Sequence, residues 1–372
     1  MKILVAGDYC PQYRVAELFE KEEYDKVLCD VRKLVGQYDY TIVNFECPVI
    51  KGNEAAIHKN GPNLFCSRYG VTALKWAGFN CVTLANNHFS DYGESGIKET
   101  ILALKEQHID YVGGGLNISE ASQILYKKIN GEILAIINCC EHEFSIASDL
   151  SAGSNPLNPI QQYYAIKEAR KNADYVLVIV HGGHEHFQLP SPRMIETYRF
   201  FVDAGADAVV NHHQHCFSGY EIYNNKPIFY GLGNFCFDEE GNTGGIWNEG
   251  YLVHLSFDDT VKFSILPYNQ CDKEPKVSML PLSAYEGRLS NINKIIGDRE
   301  QLSQMVENYY NSCQKQNSYI FEPFIGRLFT SLRYRGLLPS LVSKKRKMLA
   351  FDFIGCESHR DKILSYLSCC KK

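Results

Sequence analysis

Five short apolar runs along the chain each close on a residue type that binds metals. Residues 2–8 end on Asp8, 40–46 on Glu46, 80–88 on Asn87 and His88, 175–181 on His181, and 208–215 on His213 and His215. Continuous apolar, β-branched runs bounded by turn residues predict strands buried on both faces, as in a sheet covered by helices. In such sheets ligands bind beyond the carboxyl ends of the strands, so the five polar endings are expected on one rim. Between the runs, helical periodicity marks 15–22, 67–77, 95–108, 119–126, 161–172 and 191–204, with Gly78, Gly113 to Gly115, Gly131 and Gly205 at the returns. Strand and helix in alternation predict βαβ units, a mostly parallel sheet and an α/β fold.

Later segments differ. Residues 227–231 and 250–257 read as further strands, and 260–266 alternates as an antiparallel edge hairpin does. From about residue 285 the apolar runs give way to helical periodicity at 300–316 and to mixed apolar and basic residues at 324–335. A basic run, Ser343-Lys-Lys-Arg-Lys347, reads as a solvated face. The expected organisation is an α/β domain over 1–285 followed by a helical C-terminal appendage over 286–372.

Composition narrows the function classes. A net charge of −5, from 38 basic and 43 acidic residues, gives no global case for nucleic-acid binding. No stretch approaches 18 uninterrupted apolar residues, so a transmembrane helix is not expected. Nor does the run from Lys2 read as a signal peptide; the expected location is cytoplasmic, with peripheral membrane attachment as the variant. Fourteen cysteines are scattered without CxxC spacing, which favours reduced, buried thiols over a zinc knuckle or redox pair. Gly113 to Gly115 lack a phosphate-loop lysine or a GxGxxG pattern and read as a turn.

The strand-end residues carry the chemistry. Asp8, Glu46, Asn87, His181, His213 and His215 offer two carboxylates, one amide oxygen and three imidazoles. That set suits two divalent ions (Mn, Fe or Zn) better than a thiolate-built structural site. His213 and His215 alternate at a strand end, so their side chains are expected on one side, and His88 is left free to face a substrate. Singly, each residue has an ordinary explanation: Asp8 as a turn or cap, Glu46 as a loop acid, Asn87 as a turn former. Six such coincidences at strand ends do not. Lys59, Arg193 and Arg14 lie in segments that could approach the rim, where an anionic substrate would want cations.

The ordered blocks Gly7-Asp8, Asn44-Phe-Glu46-Cys-Pro48, Asn86-Asn-His88-Phe-Ser-Asp91, His181-Gly-Gly-His-Glu185 and Asn211-His-His-Gln-His215 resemble the CapA family of capsule and poly-γ-glutamate biosynthesis proteins. The resemblance runs from residue 2 to about 257 and implies a calcineurin-like metallophosphoesterase fold, with layered α/β structure and central β-sheets flanked by helices. It implies a bridging role for Glu46 and metal ligation by Asp8, Asn87, His181, His213 and His215. It further implies His88 as the substrate-facing imidazole, Asp91 as its orienting carboxylate, and Glu185 as an acid that orients His181 or binds substrate. The expected function is a metal-dependent, phosphoesterase-type hydrolase acting on a phosphoester or anionic polymer beside capsule-synthesis proteins. The alternative is a non-catalytic or weakly metal-binding subunit of a polymer synthesis or export machine. Three departures bear on this. Cys10 stands where general calcineurin-like phosphoesterases carry the imidazole of Asp-x-His, an imidazole that the CapA family usually lacks too; Gly182 replaces the family Trp; Asn211 replaces the Gly before the His pair and Gln214 the Pro inside it. His212 is left outside the ligand set.

Overall fold

The computed structural model describes residues 1–59, 61–239, 241–317 and 326–355. The chain opens on β1 (Lys2–Cys10), followed by α1 (Tyr13–Glu20), α2 (Tyr24–Val35) and β2 (Tyr40–Phe45). After a long irregular segment come α3 (Arg68–Ala77), β3 (Cys81–Thr83), α4 (Gly93–Glu106) and β4 (Asp110–Val112). The strand pair β5 (Gly114–Gly115) and β8 (Gly153–Ser154) brackets α5 (Ile118–Ala121), β6 (Leu125–Ile129) and β7 (Glu132–Cys140). Next come α6 (Pro159–Asn172), β9 (Tyr175–His181), α7 (Pro192–Ala204), β10 (Ala208–His212), β11 (Tyr220–Tyr223), β12 (Lys226–Phe229) and β13 (Asn234–Phe237). Three strands follow: β14 (Glu249–Ser256), β15 (Lys262–Gln270) and β16 (Val277–Met279). Then come the helices α8 (Glu286–Gly297), α9 (Arg299–Asn317), α10 (Arg327–Tyr334) and α11 (Lys344–Gly355).

The architecture is mixed α/β with two central sheets rather than one. The first runs β16-β15-β14-β1-β2-β3-β4, with β13 also pairing β1; the second runs β11-β12-β10-β9-β7-β6. Parallel pairing runs from β1 through β2 and β3 to the edge strand β4 in the first sheet, and through β12, β10, β9 and β7 in the middle of the second. Antiparallel strands extend each sheet, and the expected hairpin at 260–266 is part of β15, paired along its length with β14. Burial of both faces follows the apolar runs. Every residue of β2 and β10 is buried, as is all of β1 but Lys2 and all of β9 but Tyr175.

Helices α1, α2 and α3 cover one face of the first sheet through Val15, Phe19, Val27, Leu28, Val31, Val71 and Leu74, all fully or nearly fully buried. The α2 helix is one the periodicity argument passes over, although Val27, Leu28, Val31 and Val35 recur at helical spacing. The expected helix at 119–126 divides: α5 stops at Ala121, and Leu125–Ile129 pairs antiparallel with β7. The glycines after β4 are dictated by packing. A Cβ at Gly114 would stand 2.6 Å from the Phe89 ring, and one at Gly113 would stand 1.9 Å from Asn138 Oδ1. These glycines let the strand pair close behind the loop that carries His88, and that contact accounts for them.

The chain divides into two compact units, Met1–Leu302 and Ser303–Lys372. Helix α8 belongs to the first, where Asn293 Oδ1 accepts the Tyr220 N–H at 2.8 Å. Helices α10 and α11 belong to the second; residues 318–325 and 356–372, part of the expected appendage, lie outside the described residues.

Candidate metal centre

All six expected ligands converge, with His88 beside them. Asp8 and Glu46 come from the carboxyl ends of β1 and β2, and Asn87 and His88 from the loop after β3. His181 ends β9 in the other sheet, and His213 and His215 follow β10. The centre therefore spans the seam where the parallel strands of both sheets end. Two triads have donor atoms within 4.8 Å of one another: Glu46, His181 and His213, and Asp8, Glu46 and His215. Glu46 is common to both, and every member is buried. The nearest Glu46 oxygen to both His181 Nε2 and His215 Nε2 is Oε1, at 3.5 and 3.7 Å, so Glu46 stands where a ligand shared by two ions would stand.

Several contacts indicate what fits between these groups. His181 Nε2 stands 3.0 Å from Asn87 Oδ1, 3.1 Å from His213 Nδ1 and 3.5 Å from Glu46 Oε1. One ring nitrogen carries at most one proton, so a single N–H cannot serve both the Asn87 and the Glu46 oxygen, with the His213 nitrogen 3.1 Å away beside them. Ligands bound to one ion at about 2.0–2.1 Å sit about 2.9–3.4 Å apart along their shared edges, close to this spacing. Glu46 is fully buried and neither of its carboxylate oxygens has a hydrogen-bond partner. Buried carboxylates are almost always paired, hydrogen-bonded or metal-bound. The donor set is oxygen and imidazole. Burial pushes the nearby Cys10 thiol up to about 11, so it stays neutral and offers no thiolate. Residues and donor chemistry together fit a hard to borderline divalent ion.

Electrostatics separates the two carboxylates. Burial raises the Glu46 pKa well above the ordinary range, and repulsion from Asp8, Glu185, Glu143 and Asp91 adds to it. Burial also pushes Asp8 upward, but His212, His215 and Asn44 outweigh it, and Asp8 ends below the usual value. For His181, burial depresses the pKa, and the neighbouring imidazoles push it further down. Burial lowers His215 too. Both rings are thereby kept neutral, the form that binds metal.

Outer partners aim the ligands. Asn44, two residues before Glu46 on β2, donates from Nδ2 to Asp8 Oδ1 at 2.8 Å, and that Nδ2 also lies 3.2 Å from His181 Nδ1. On the other side, His215 Nδ1 stands 2.8 Å from Asn234 Oδ1, whose amide nitrogen reaches the carbonyls of His215 and Trp247. That pairing puts the proton on Nδ1 and leaves Nε2, 3.7 Å from Glu46 Oε1, for a ligand. Of these two partners only Asn44 has a sequence signal of its own, the same-face spacing to Glu46.

The expected alternation of His213 and His215 along a strand is not what presents them. Strand β10 ends at His212, and the two rings are delivered by a turn in which His213 has φ +96° and His215 φ +54°. Left-handed backbone at a non-glycine residue costs about 1–3 kcal/mol and persists where surrounding structure over-determines it.

His88 and Asp91 form a second group. His88 Nδ1 donates to Asp91 Oδ2 at 2.7 Å, which leaves Nε2 for a substrate. Of the three candidate cations, Lys59 arrives here: its buried Nζ is 2.5 Å from Asp91 Oδ1 and 3.1 Å from His88 Nδ1. Leu64 N also donates to Asp91 Oδ2, at 2.7 Å, tying the 57–64 segment to the same carboxylate. Arg193 pairs with Glu141 at 2.6 Å, and Arg14 clasps Asp238 and the carbonyls of Cys271 and Asp272. Glu185 is exposed on the loop after β9, outside both triads, though its charge weighs on Glu46 and His215. Two residues near the centre escape the sequence reading. Glu143, on the loop after β7, has Oε1 3.7 Å from His213 Nε2, and His212 has Nδ1 3.1 Å from Asp8 Oδ1. Glu143 does not close an apolar run, and His212 does close one but is set aside in favour of the His213 and His215 pair beside it.

Comparison with known proteins agrees in extent with the site. The family profile described as bacterial capsule synthesis protein PGA_cap matches residues 2–239, which contain every residue of both triads. The capsule biosynthesis protein CapA of Bacillus anthracis is 35% identical over 284 residues, covering 74% of this chain and 69% of that one. The PGA biosynthesis protein CapA of Bacillus subtilis (strain 168) is 32% identical over 272 residues, covering 72% and 71%. Among solved structures, a 5'-nucleotidase precursor from Thermus thermophilus superposes with a TM-score of 0.44 at 11% identity, over 80% of this chain and 59% of that one.

Proposed function

The chain belongs to the bacterial capsule synthesis family PGA_cap, and from that premise we propose that it is a metal-dependent hydrolase of the phosphoesterase type. Its substrate would be a phosphoester or an anionic polymer of capsule or poly-γ-glutamate metabolism, handled beside other capsule-synthesis proteins. The observation that carries the proposal is the shared, unpartnered Glu46 between two buried triads. Asp8, Glu46 and His215 would hold one divalent ion, and Glu46, Asn87, His181 and His213 the other. Bound there, the ions would supply Lewis acidity and a water of lowered pKa.

The protein's own part follows from the geometry. Asp91, held by Lys59 and the Leu64 N–H, fixes the His88 ring through Nδ1. The free Nε2 is then the atom that holds or moves a proton at the leaving group. Lys59 balances the Asp91 charge beside a centre on which two further acids, Glu143 and Glu185, also weigh.

The test is turnover of a generic phosphodiester and a phosphomonoester with Mn. His88→Ala should lower the rate about 10²–10⁴-fold, the usual contribution of a positioned acid or base. Asp8→Ala should lower it at least as far. Equal rates in wild type and both variants would remove the hydrolase reading, and product analysis on poly-γ-glutamate would separate amide from phosphoester cleavage.

A specific observation favours one alternative. Cys10 supplies a neutral thiol where an imidazole ligand would be, which suits a centre that holds metal without turning over. Mn uptake by wild type with no hydrolysis of either substrate class would favour a metal-holding subunit of the synthesis machinery.

A further inference from the structure

We propose that His212 positions Asp8 for the metal on that side of the centre. The proposal rests on the metal-centre reading above. Cys10, two residues after Asp8, is buried and belongs to neither triad, so the hold on Asp8 comes from other elements.

His212 is the last residue of β10, paired in register with His181, and its ring is 1% exposed. Its Nδ1 lies 3.1 Å from Asp8 Oδ1. A fully buried imidazole set against a carboxylate is not core filler; an apolar side chain of similar volume would pack there without the desolvation penalty. The next residue takes the other oxygen: the His213 backbone N–H donates to Asp8 Oδ2 at 3.1 Å. Two consecutive residues of the second sheet and its following turn thus grip both oxygens of a carboxylate that belongs to the first. Asn44 adds its 2.8 Å hydrogen bond to Oδ1 from the neighbouring strand. His212 stands outside both triads, so its influence on a metal runs through the orientation of Asp8. Partners of this kind, which hold a ligating group by its other face, set ligand direction and basicity.

The experiment is Mn titration by calorimetry on wild type, His212→Leu and His212→Asn, with the thermal midpoint of each metal-free protein measured alongside. Leu keeps the volume and removes the N–H, whereas the Asn side-chain nitrogen takes the place of Nδ1. His212→Leu should bind Mn about 10–100-fold more weakly, with a metal-free midpoint no lower than wild type, and His212→Asn should stay within about threefold of wild type. Wild-type affinity in the Leu variant would overturn the proposal. So would an Asn variant that falls as far as Leu, because the ring would then be needed as a ligand. A wild type that takes up no Mn would remove the centre itself and this role with it.

Discussion

Glu46→Gln should raise the stability of the metal-free protein while abolishing its hold on metal. The wild-type carboxylate is fully buried, lacks any hydrogen-bond partner and is raised in pKa first by burial and then by its acidic neighbours. An unsatisfied buried charge costs more than the roughly 1–3 kcal/mol of an unsatisfied neutral group, and the amide removes the part due to the charge at constant shape. The expected gain is on the order of 2–8 °C in the metal-free midpoint. Because Glu46 is the member common to both triads, Mn affinity should fall more than about 100-fold, beyond what loss of an outer partner causes.

The gain should depend on pH with a definite sign. A carboxyl group whose folded pKa lies above its unfolded value favours the fold below the unfolded pKa and loses that contribution as pH rises through the folded one. The difference between Glu46→Gln and wild type should therefore be smallest near pH 4.5 and grow as pH rises. His181 and His215 act with the opposite sign, since their lowered pKa values weaken the fold as pH falls below about 6.5. Thermal melts of chelator-treated protein across pH check it. A variant less stable than wild type at every pH would contradict the reading of Glu46 as a frustrated metal ligand.

Gly7→Ala should be strongly destabilising. A Cβ there would stand 1.9 Å from the Gly233 carbonyl oxygen and 3.0 Å from the Gly233 carbonyl carbon and the Tyr268 hydroxyl. The obstruction is backbone, and that same carbonyl accepts the Asp8 N–H at 3.1 Å. The substitution would pry β1 from β13, which carries Asn234 and so the orientation of His215. Overpacking of this kind should cost about 3–5 kcal/mol, at the upper end for point mutations, and lower the midpoint by roughly 10 °C. Gly287→Ala is the control. It lies in α8 with nothing within 4 Å of the added Cβ, and should be neutral or stabilising by up to about 1 kcal/mol. Equal midpoints for the two variants would refute the close approach of β1 and β13.

What the amino-acid order reveals about this protein follows from which interactions are local. Asp8, Glu46, Asn87 and His181 are visible because each is a polar residue closing a run that both faces of a sheet must bury. The division into two sheets is not visible, because whether β9 pairs with β7 or with β3 depends on contacts between residues far apart in sequence. The turn that delivers His213 and His215 is equally hidden. Histidine carries no signature for left-handed backbone, and only the packing around the seam imposes it. His212 is not legible as a partner of Asp8 because the contact joins two strands of different sheets, far apart in sequence. Lys59 is legible as a candidate cation but its destination is not. The segment carrying it has no regular structure, and Asp91 gathers the Leu64 N–H, the Lys59 ammonium and the His88 ring only in the fold.

The central claim is that side chains from two sheets form one metal centre built around Glu46. It is tested most directly by an anomalous difference map from crystals of the wild-type protein soaked in Mn. The account predicts peaks on both sides of the Glu46 carboxylate, one toward Asp8 and His215 and one toward His181 and His213, about 3.5–4 Å apart. A map with no peak at Glu46, or with Mn only at surface acids, would contradict it.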